Sequence, residues 1–118
     1  MNDEIEIRNM KDFKEKTRME MLAEEMKRQQ FYVDLQNLAR KHWLLFKHDN
    51  HYESEHFTFH EPSKGWFSLP KLVADFYGYL DISATKIVFH DTSLIILEDD
   101  RFMDFAKELK SLLEGYQK

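Results

Sequence analysis

The sequence has no cysteine and, in 118 residues, only three glycines and two prolines. Without cysteine the chain has no disulfide framework, thiolate zinc site or cysteine nucleophile. So few glycines and prolines leave little room for linkers or low-complexity tails. No apolar run approaches the roughly 18 residues of a membrane helix, and the acidic start of the chain lacks a signal-peptide pattern. These features predict a cytoplasmic protein that makes no membrane contact.

The composition fits one soluble domain over residues 1–118, since 42% of the residues are hydrophobic and 33% are charged. The net charge of −5 is unevenly distributed. Residues 8–48 carry ten basic and six acidic residues, a net of +4, whereas residues 51–118 carry seven and twelve, a net of −5. The acidic C-terminal part favours a protein partner with a basic surface.

Residues 9–47 are predicted to form a helical arm. Asn9 is the predicted N-cap, and neither glycine nor proline occurs between it and Glu61. The apolar stripe shifts near residue 30, which indicates either one long helix or two helices broken around residues 29–32. A continuous helix over this segment would be about 57 Å long, against a radius of gyration of about 13–14 Å for a compact domain of this length. The arm must therefore bend or project, and a projecting apolar face needs a second surface, most simply a second copy.

Residues 55–118 are predicted to form a ββαββα head. The first unit has strands at 56–60 and 66–67 and a helix at 69–80, N-capped by Ser68. The second has a hairpin of strands 86–90 and 93–98, turning at residues 91–92, and a helix that follows Asp99 and ends at Gly115. The apolar run at 94–97 suits a central strand covered on both faces.

Segments 59–63 and 89–93 resemble each other at an offset of thirty residues. Either a duplicated ββα unit or chance similarity between two hairpins explains the resemblance. The predicted class is α+β in either case. A long N-terminal helical region precedes two strand–strand–helix units, which form a four-stranded antiparallel sheet covered by helices.

A histidine-rich stretch offers His48, His51, His56 and His60 beside several carboxylates, which are ligand types that zinc accepts. On a strand, however, His56 and His60 would lie about 13 Å apart, too far to share one ion. Only folding could bring His48, His51 and His90 together. We predict no metal site and no cofactor.

Catalytic patterns are also weak. Glu98, Asp99, Asp100 and Asp104 fit the start of a helix, where carboxylates cap free N–H groups. No glycine-rich phosphate loop accompanies them, and the serines next to the histidines are ordinary turn residues. We predict no catalytic residue and no enzymatic activity.

Nucleic-acid binding is the alternative function. Residues 73–87 resemble a helix-turn-helix followed by a wing-like hairpin, although the turn is long and Lys86 is the only cation in the segment. The other candidate phosphate contacts of such a winged-helix-like regulator lie on the arm: Lys11, Lys14, Lys16, Arg18, Arg40 and Lys41.

Protein binding is the leading hypothesis. The overlong helix, the surplus of aromatic residues and the acidic head predict a small intracellular regulatory, adaptor or inhibitor protein that forms a homodimer through a coiled coil of its N-terminal helix. The candidate contacts are apolar residues of the arm and two tryptophans without a clear place in the core: Met19, Leu22, Met26, Val33, Trp43 and Trp66.

Overall fold

The computed structural model describes residues 2–51, 54–63, 65–66 and 69–118, with side chains from residue 17 onwards except residue 51. Four strands form one antiparallel sheet in the order β1-β2-β3-β4. This confirms the predicted α+β class and the four-stranded antiparallel sheet. The elements are α1 (Asn2–Lys41), β1 (Leu45–His51), β2 (Ser54–Glu61), β3 (Lys71–Ile82), β4 (Ile87–Ile96), a 3₁₀ turn (Asp100–Phe102) and α2 (Met103–Gln117).

Helix α1 is continuous over 40 residues. The prediction of a helix over residues 9–47 is therefore wrong at both ends, because Asn9 lies inside the helix and the chain leaves it after Lys41. The backbone reverses at Trp43, which has a φ of 58°, and the Leu44 N–H donates to the carbonyl of Ala39 over 2.8 Å. Strand β1 begins at once, so most of the loop predicted after residue 47 is part of a hairpin.

The core lies on one face of the sheet. Phe57 and Phe59 of β2 are fully buried, and the residues between and beside them are turned to the opposite face. Phe31 of α1 packs edge-on against Phe57 with ring centroids 5.6 Å apart, and Phe105 of α2 meets Phe59 at 5.0 Å. Both helices therefore cover the same face, and no helix of the described residues lies on the other face of the sheet.

Residues 71–80 form most of β3 and not the predicted helix. Apolar residues do recur there at helical spacing. The aromatic residues of the segment, however, favour a strand, and Gly78 disfavours the interior of a helix. Alternation then buries Ala74 and Phe76 and exposes Tyr77 and Tyr79. Trp66 lies in a turn outside the strands, and the predicted cap Ser68 lies outside the described residues.

Strand β4 runs through the predicted hairpin at residues 91–92. The register shifts by one residue opposite Gly78, and Asp91 adopts a φ of 49°, so the supposed turn is a β-bulge. Strand β4 is also an edge strand, with Ile95 63% exposed, so the prediction of a central, doubly covered strand is wrong.

Of the two explanations left open for the similar segments, a duplicated ββα unit is contradicted, because Phe76 and Leu80 lie in a strand whereas their counterparts Phe105 and Leu109 lie in α2. Asp99 does cap the C-terminal helical segment, accepting a hydrogen bond from the Arg101 N–H over 3.0 Å. Gly115, predicted to follow the helix, lies inside it.

The molecule is elongated, with extents of 73 × 29 × 24 Å and a radius of gyration of 19.3 Å. From Lys27 onwards α1 contacts the rest of the fold: Lys27 lies 5.2 Å from the ring of Tyr116, and Arg28 reaches Glu55. The preceding part of α1, residues 2–26, extends beyond the sheet as an overhang of about 37 Å. The helix projects, and it does not bend at residues 29–32. Among the described residues, no helix is both long and apolar enough to span a membrane.

Candidate interaction surfaces

The first surface is an apolar stripe on α1, formed by Met19, Leu22, Met26 and Val33, which are 74%, 63%, 66% and 45% exposed. At 100° per residue these four positions lie roughly opposite the face that Phe31 places in the core. The stripe therefore points away from the body, and three of its members belong to the overhang. The structure brings these four predicted residues together on one face.

The second surface lies at the other end of the molecule. Trp43 precedes β1 and is 85% exposed, while Trp66, in the β2–β3 connection, is 101% exposed. Leu45 pairs with His60, near the end of β2, so the two tryptophans lie at the same end of the sheet. We call this region the tryptophan end. Its other exposed apolar members are Leu45, Leu69 and Leu72.

The third surface is the sheet face that no helix covers, here called the open face. His56 of β2 contacts the Asp75 carboxylate through Nε2 and meets the ring of Tyr77 edge-on at 5.9 Å. Further along, His90 Nε2 lies 3.7 Å from Asp81 Oδ2. These contacts place side chains from β2, β3 and β4 on one continuous polar and aromatic surface.

A buried polar cluster joins α1 to the first hairpin. The Glu55 side chain is 7% exposed, and its Oε1 accepts hydrogen bonds from the Tyr32 hydroxyl and from Arg28 Nη1, the latter over 3.2 Å. His48 Nε2 lies 3.1 Å from the same oxygen. Burial, and then the hydrogen bond to Glu55, raise the pKa of Tyr32 to about 12. With its acceptor satisfied from three directions, this cluster joins the helix to the sheet.

His48 and His90 do not converge. His48 lies on β1 and His90 on β4, the two opposite edges of the sheet. Within the described part of the chain, no group of three or more histidine or acidic side chains is placed to hold a metal ion. The side chain of His51 lies outside the described residues.

Of the acidic cluster at the start of the last helical segment, Asp99 forms a local ion pair. Arg101 binds the Asp99 carboxylate over 2.9 Å through Nη2, and its hydrogen bonds lower the pKa of Asp99. On α2, hydrogen bonds from Lys41 and His42 lower the pKa of Glu108. Both arrangements hold helices in place. Beside them, an open groove of about 740 Å³ runs between the end of β4 and α2.

The predicted phosphate contacts whose side chains are described do not form one patch. Arg40 is near the tryptophan end of α1 and Arg18 is on the overhang, and both are exposed. Lys41 is paired with Glu108, and Lys86 lies in the β3–β4 turn at the opposite end of the sheet. The side chains of Lys11, Lys14 and Lys16 lie outside the described residues. Because residues 73–78 form a strand, the helix-turn-helix interpretation is wrong.

The open face is the feature that sequence reasoning missed. Asp75, Tyr77, Tyr79 and Asp81 occupy every second position of β3, which is the period of a strand, but the segment was predicted to be helical. That two-residue period is the signal that could have identified the face.

Comparison with known proteins gives no match: no protein-family model, curated protein or solved structure shows significant similarity to the chain.

Proposed function

We propose that this protein is a small non-enzymatic regulatory or adaptor protein, which acts by binding other proteins and self-associates through α1. The observation that supports the proposal is the apolar stripe on the overhang. Methionine and leucine side chains that are about two-thirds exposed lie along one line of a helix that projects beyond its own core. A second copy of the same helix would cover that line.

The spacing of the stripe suits a short coiled coil. Met19, Leu22, Met26 and Val33 occupy a, d, a and a positions of a heptad pattern, with Gln29 at the intervening d position. Such a seam spans only about two heptads, and its single polar position weakens it. We therefore expect a dimer that dissociates on dilution.

The tryptophan end supplies a separate contact for the partner. Large aromatic side chains are enriched among the residues that dominate binding energy at interfaces. Trp43 and Trp66 lie at the end of the sheet opposite the overhang, so a partner bound there leaves the stripe free. A dimer joined by its arms would present two partner sites, which is the arrangement of an adaptor.

Light scattering during size-exclusion chromatography tests self-association. We expect a mass near twice 14.4 kDa at high protein concentration and near 14.4 kDa for Met26→Lys. Met21→Lys is the matched control, because Met21 is 62% exposed but lies about 100–160° around the helix from the four residues of the stripe. That variant should remain a dimer.

A wild-type monomer at every concentration, or a Met26→Lys variant that still dimerises, would refute the role of the stripe. Absorbance at 260 and 280 nm in the same run tests the alternative. Co-purified nucleic acid would favour a nucleic-acid-binding regulator that uses exposed cations such as Arg18, Arg40 and Lys86.

A further inference from the structure

A ladder of four side chains runs along the open face. Asp75, Tyr77, Tyr79 and Asp81 project from alternate positions of β3, with a carboxylate at each end and the two phenol rings between them. At about 3.3 Å per residue, neighbours in the ladder are roughly 7 Å apart and the whole ladder is about 20 Å long. An extended chain laid along β3 would present every second side chain at the same interval.

The charge of this face is negative. Its described carboxylates are those of Asp49, Asp75 and Asp81, and its one lysine, Lys47, has Nζ 3.5 Å from Asp49 Oδ2. The side chains in ion-pair contact with Asp75 and Asp81 are His56 and His90, so among the described residues neither carboxylate is paired with a lysine or an arginine. The face therefore attracts cations and repels phosphates.

The rings of the ladder suit the same type of ligand. Tyr77 and Tyr79 are 39% and 40% exposed, so part of each ring is open to a partner. A lysine or arginine that lies over a tyrosine ring gains a cation–π contact, and a carboxylate two residues away can accept its hydrogen bonds. One cationic side chain of a partner can therefore contact a tyrosine ring and the carboxylate two residues away on β3 at the same time.

We propose that the open face is the docking site for an extended, basic segment of the partner protein, whose lysine or arginine side chains alternate along the Asp75–Tyr77–Tyr79–Asp81 ladder. This inference rests on the proposed function, since it assigns a chemistry and a site to the partner. The face continues towards the tryptophan end through Leu45 and Leu72, which flank His60 on the neighbouring strands. An apolar residue of the partner at that end would complete the contact.

Fluorescence anisotropy with the full chain tests the site. The probe is a labelled peptide of alternating lysine and serine, at low ionic strength, and a glutamate–serine peptide and oligothymidylate are the comparison ligands. We expect the lysine peptide to bind in preference to both. The double variant Asp75→Asn, Asp81→Asn keeps hydrogen-bonding side chains on the face but removes both charges, and we expect about tenfold weaker binding or more.

The matched control removes the same charge elsewhere. Asp104→Asn with Glu114→Gln changes two exposed carboxylates on α2, which packs on the other face of the sheet, and should alter the dissociation constant less than about twofold. A second pair, Tyr77→Thr with Tyr79→Thr, keeps strand-forming residues and should also weaken binding. It keeps the proposal testable if the aspartate variant fails to fold.

Three outcomes would overturn the proposal: no binding of the lysine peptide, an equal loss in the α2 control, or preferential binding of oligothymidylate. A ladder variant that also loses the dimer mass would do so as well, because the occupant would then be the basic arm of a second copy. The two proposals fail separately. Met26→Lys should leave peptide binding unchanged, whereas the ladder variants should leave the dimer intact.

Discussion

At the scale of single residues, the Glu55 carboxylate of β2 makes the polar contact between the sheet and the long helix α1. It is buried and accepts hydrogen bonds from two residues of α1, Arg28 and Tyr32. Removing the charge of such a group weakens every bond it accepts, whereas a surface carboxylate contributes little. The cluster therefore fixes the direction in which α1 leaves the body.

Glu55→Gln is expected to lower the free energy of unfolding by about 1–3 kcal/mol, because the amide accepts weaker hydrogen bonds from Arg28 and Tyr32. Glu114→Gln, an exposed position on α2, should change it by less than about 0.5 kcal/mol. Urea unfolding followed by circular dichroism measures both. Equal midpoints for the two variants would show that Glu55 has no such role.

Alkaline pH tests the same cluster through Tyr32. Its pKa is about 12 in the folded protein and 10.0 in the unfolded chain, so the neutral phenol stabilises the fold. That contribution is complete below pH 10 and is lost as the pH rises to about 12. We expect a loss on the order of 1 kcal/mol, reduced by solvent screening of the partly exposed ring. Tyr32→Phe should reduce the loss of stability between pH 10 and about 12 without abolishing it, because burial and the hydrogen bond to Asp34 also raise the pKa of Tyr116. An unchanged profile would contradict this.

At the scale of elements, the bulge between β3 and β4 determines where the open face lies. The extra residue of β4 lies opposite Gly78, and Thr92 occupies the space that a Cβ atom at position 78 would need. A bulge bends and twists its strand locally, and it also interrupts the edge that β4 presents to solvent. Gly78 is buried, so its lack of a side chain is needed for this close approach.

Gly78→Ala should destabilise the protein by about 1–3 kcal/mol, because the new Cβ would clash with Cγ2 of Thr92 and lie 3.2 Å from the carbonyl oxygen of His90. Adding Thr92→Ser removes Cγ2 and should recover part of the loss. Thermal unfolding of the single and double variants measures the coupling. If the alanine variant is as stable as the wild type, the bulge has more space than this packing implies.

The sequence predicts elements well where one period dominates. The core face of α2, with Phe105, Leu109 and Leu113, follows from helical spacing, and β2 follows from the alternation around Phe57 and Phe59. Strand β3 cannot be predicted in this way, because its apolar residues recur at helical spacing while its polar residues alternate as in a strand. Only the sheet on either side decides between them, since β3 pairs with β2 and β4 along its length.

The candidate surfaces follow the same rule. The stripe could be predicted because a helix determines the relative directions of its own side chains. The open face could be predicted only in part. The two-residue period of β3 gives the order of its own polar residues, but His56 and His90 join them only through strand register and through the choice of which face the helices cover. The bulge at residues 91–92 was mistaken for a turn for a similar reason. A residue with a positive φ, such as Asp91, occurs both in a tight hairpin turn and in a β-bulge.

At the scale of the whole molecule, the contacts proposed here are spread along an elongated body. The overhang of α1 leaves one end, the tryptophan end forms the other, and the open face runs along the sheet between them. A chain with two separate unpartnered surfaces can bind a copy of itself and a partner at the same time.

Chemical cross-linking tests the central claim, that the stripe on the overhang pairs with a second copy. The chain has no cysteine, so Met26→Cys and Met21→Cys each introduce a single thiol, on and off the stripe. A short bismaleimide should link the Met26→Cys variant into covalent dimers in high yield, because position 26 lies at the middle of the seam and faces its own copy in either orientation of the helices. The Met21→Cys variant should link poorly. Equal yields from the two positions, or none from position 26, would contradict pairing through this face.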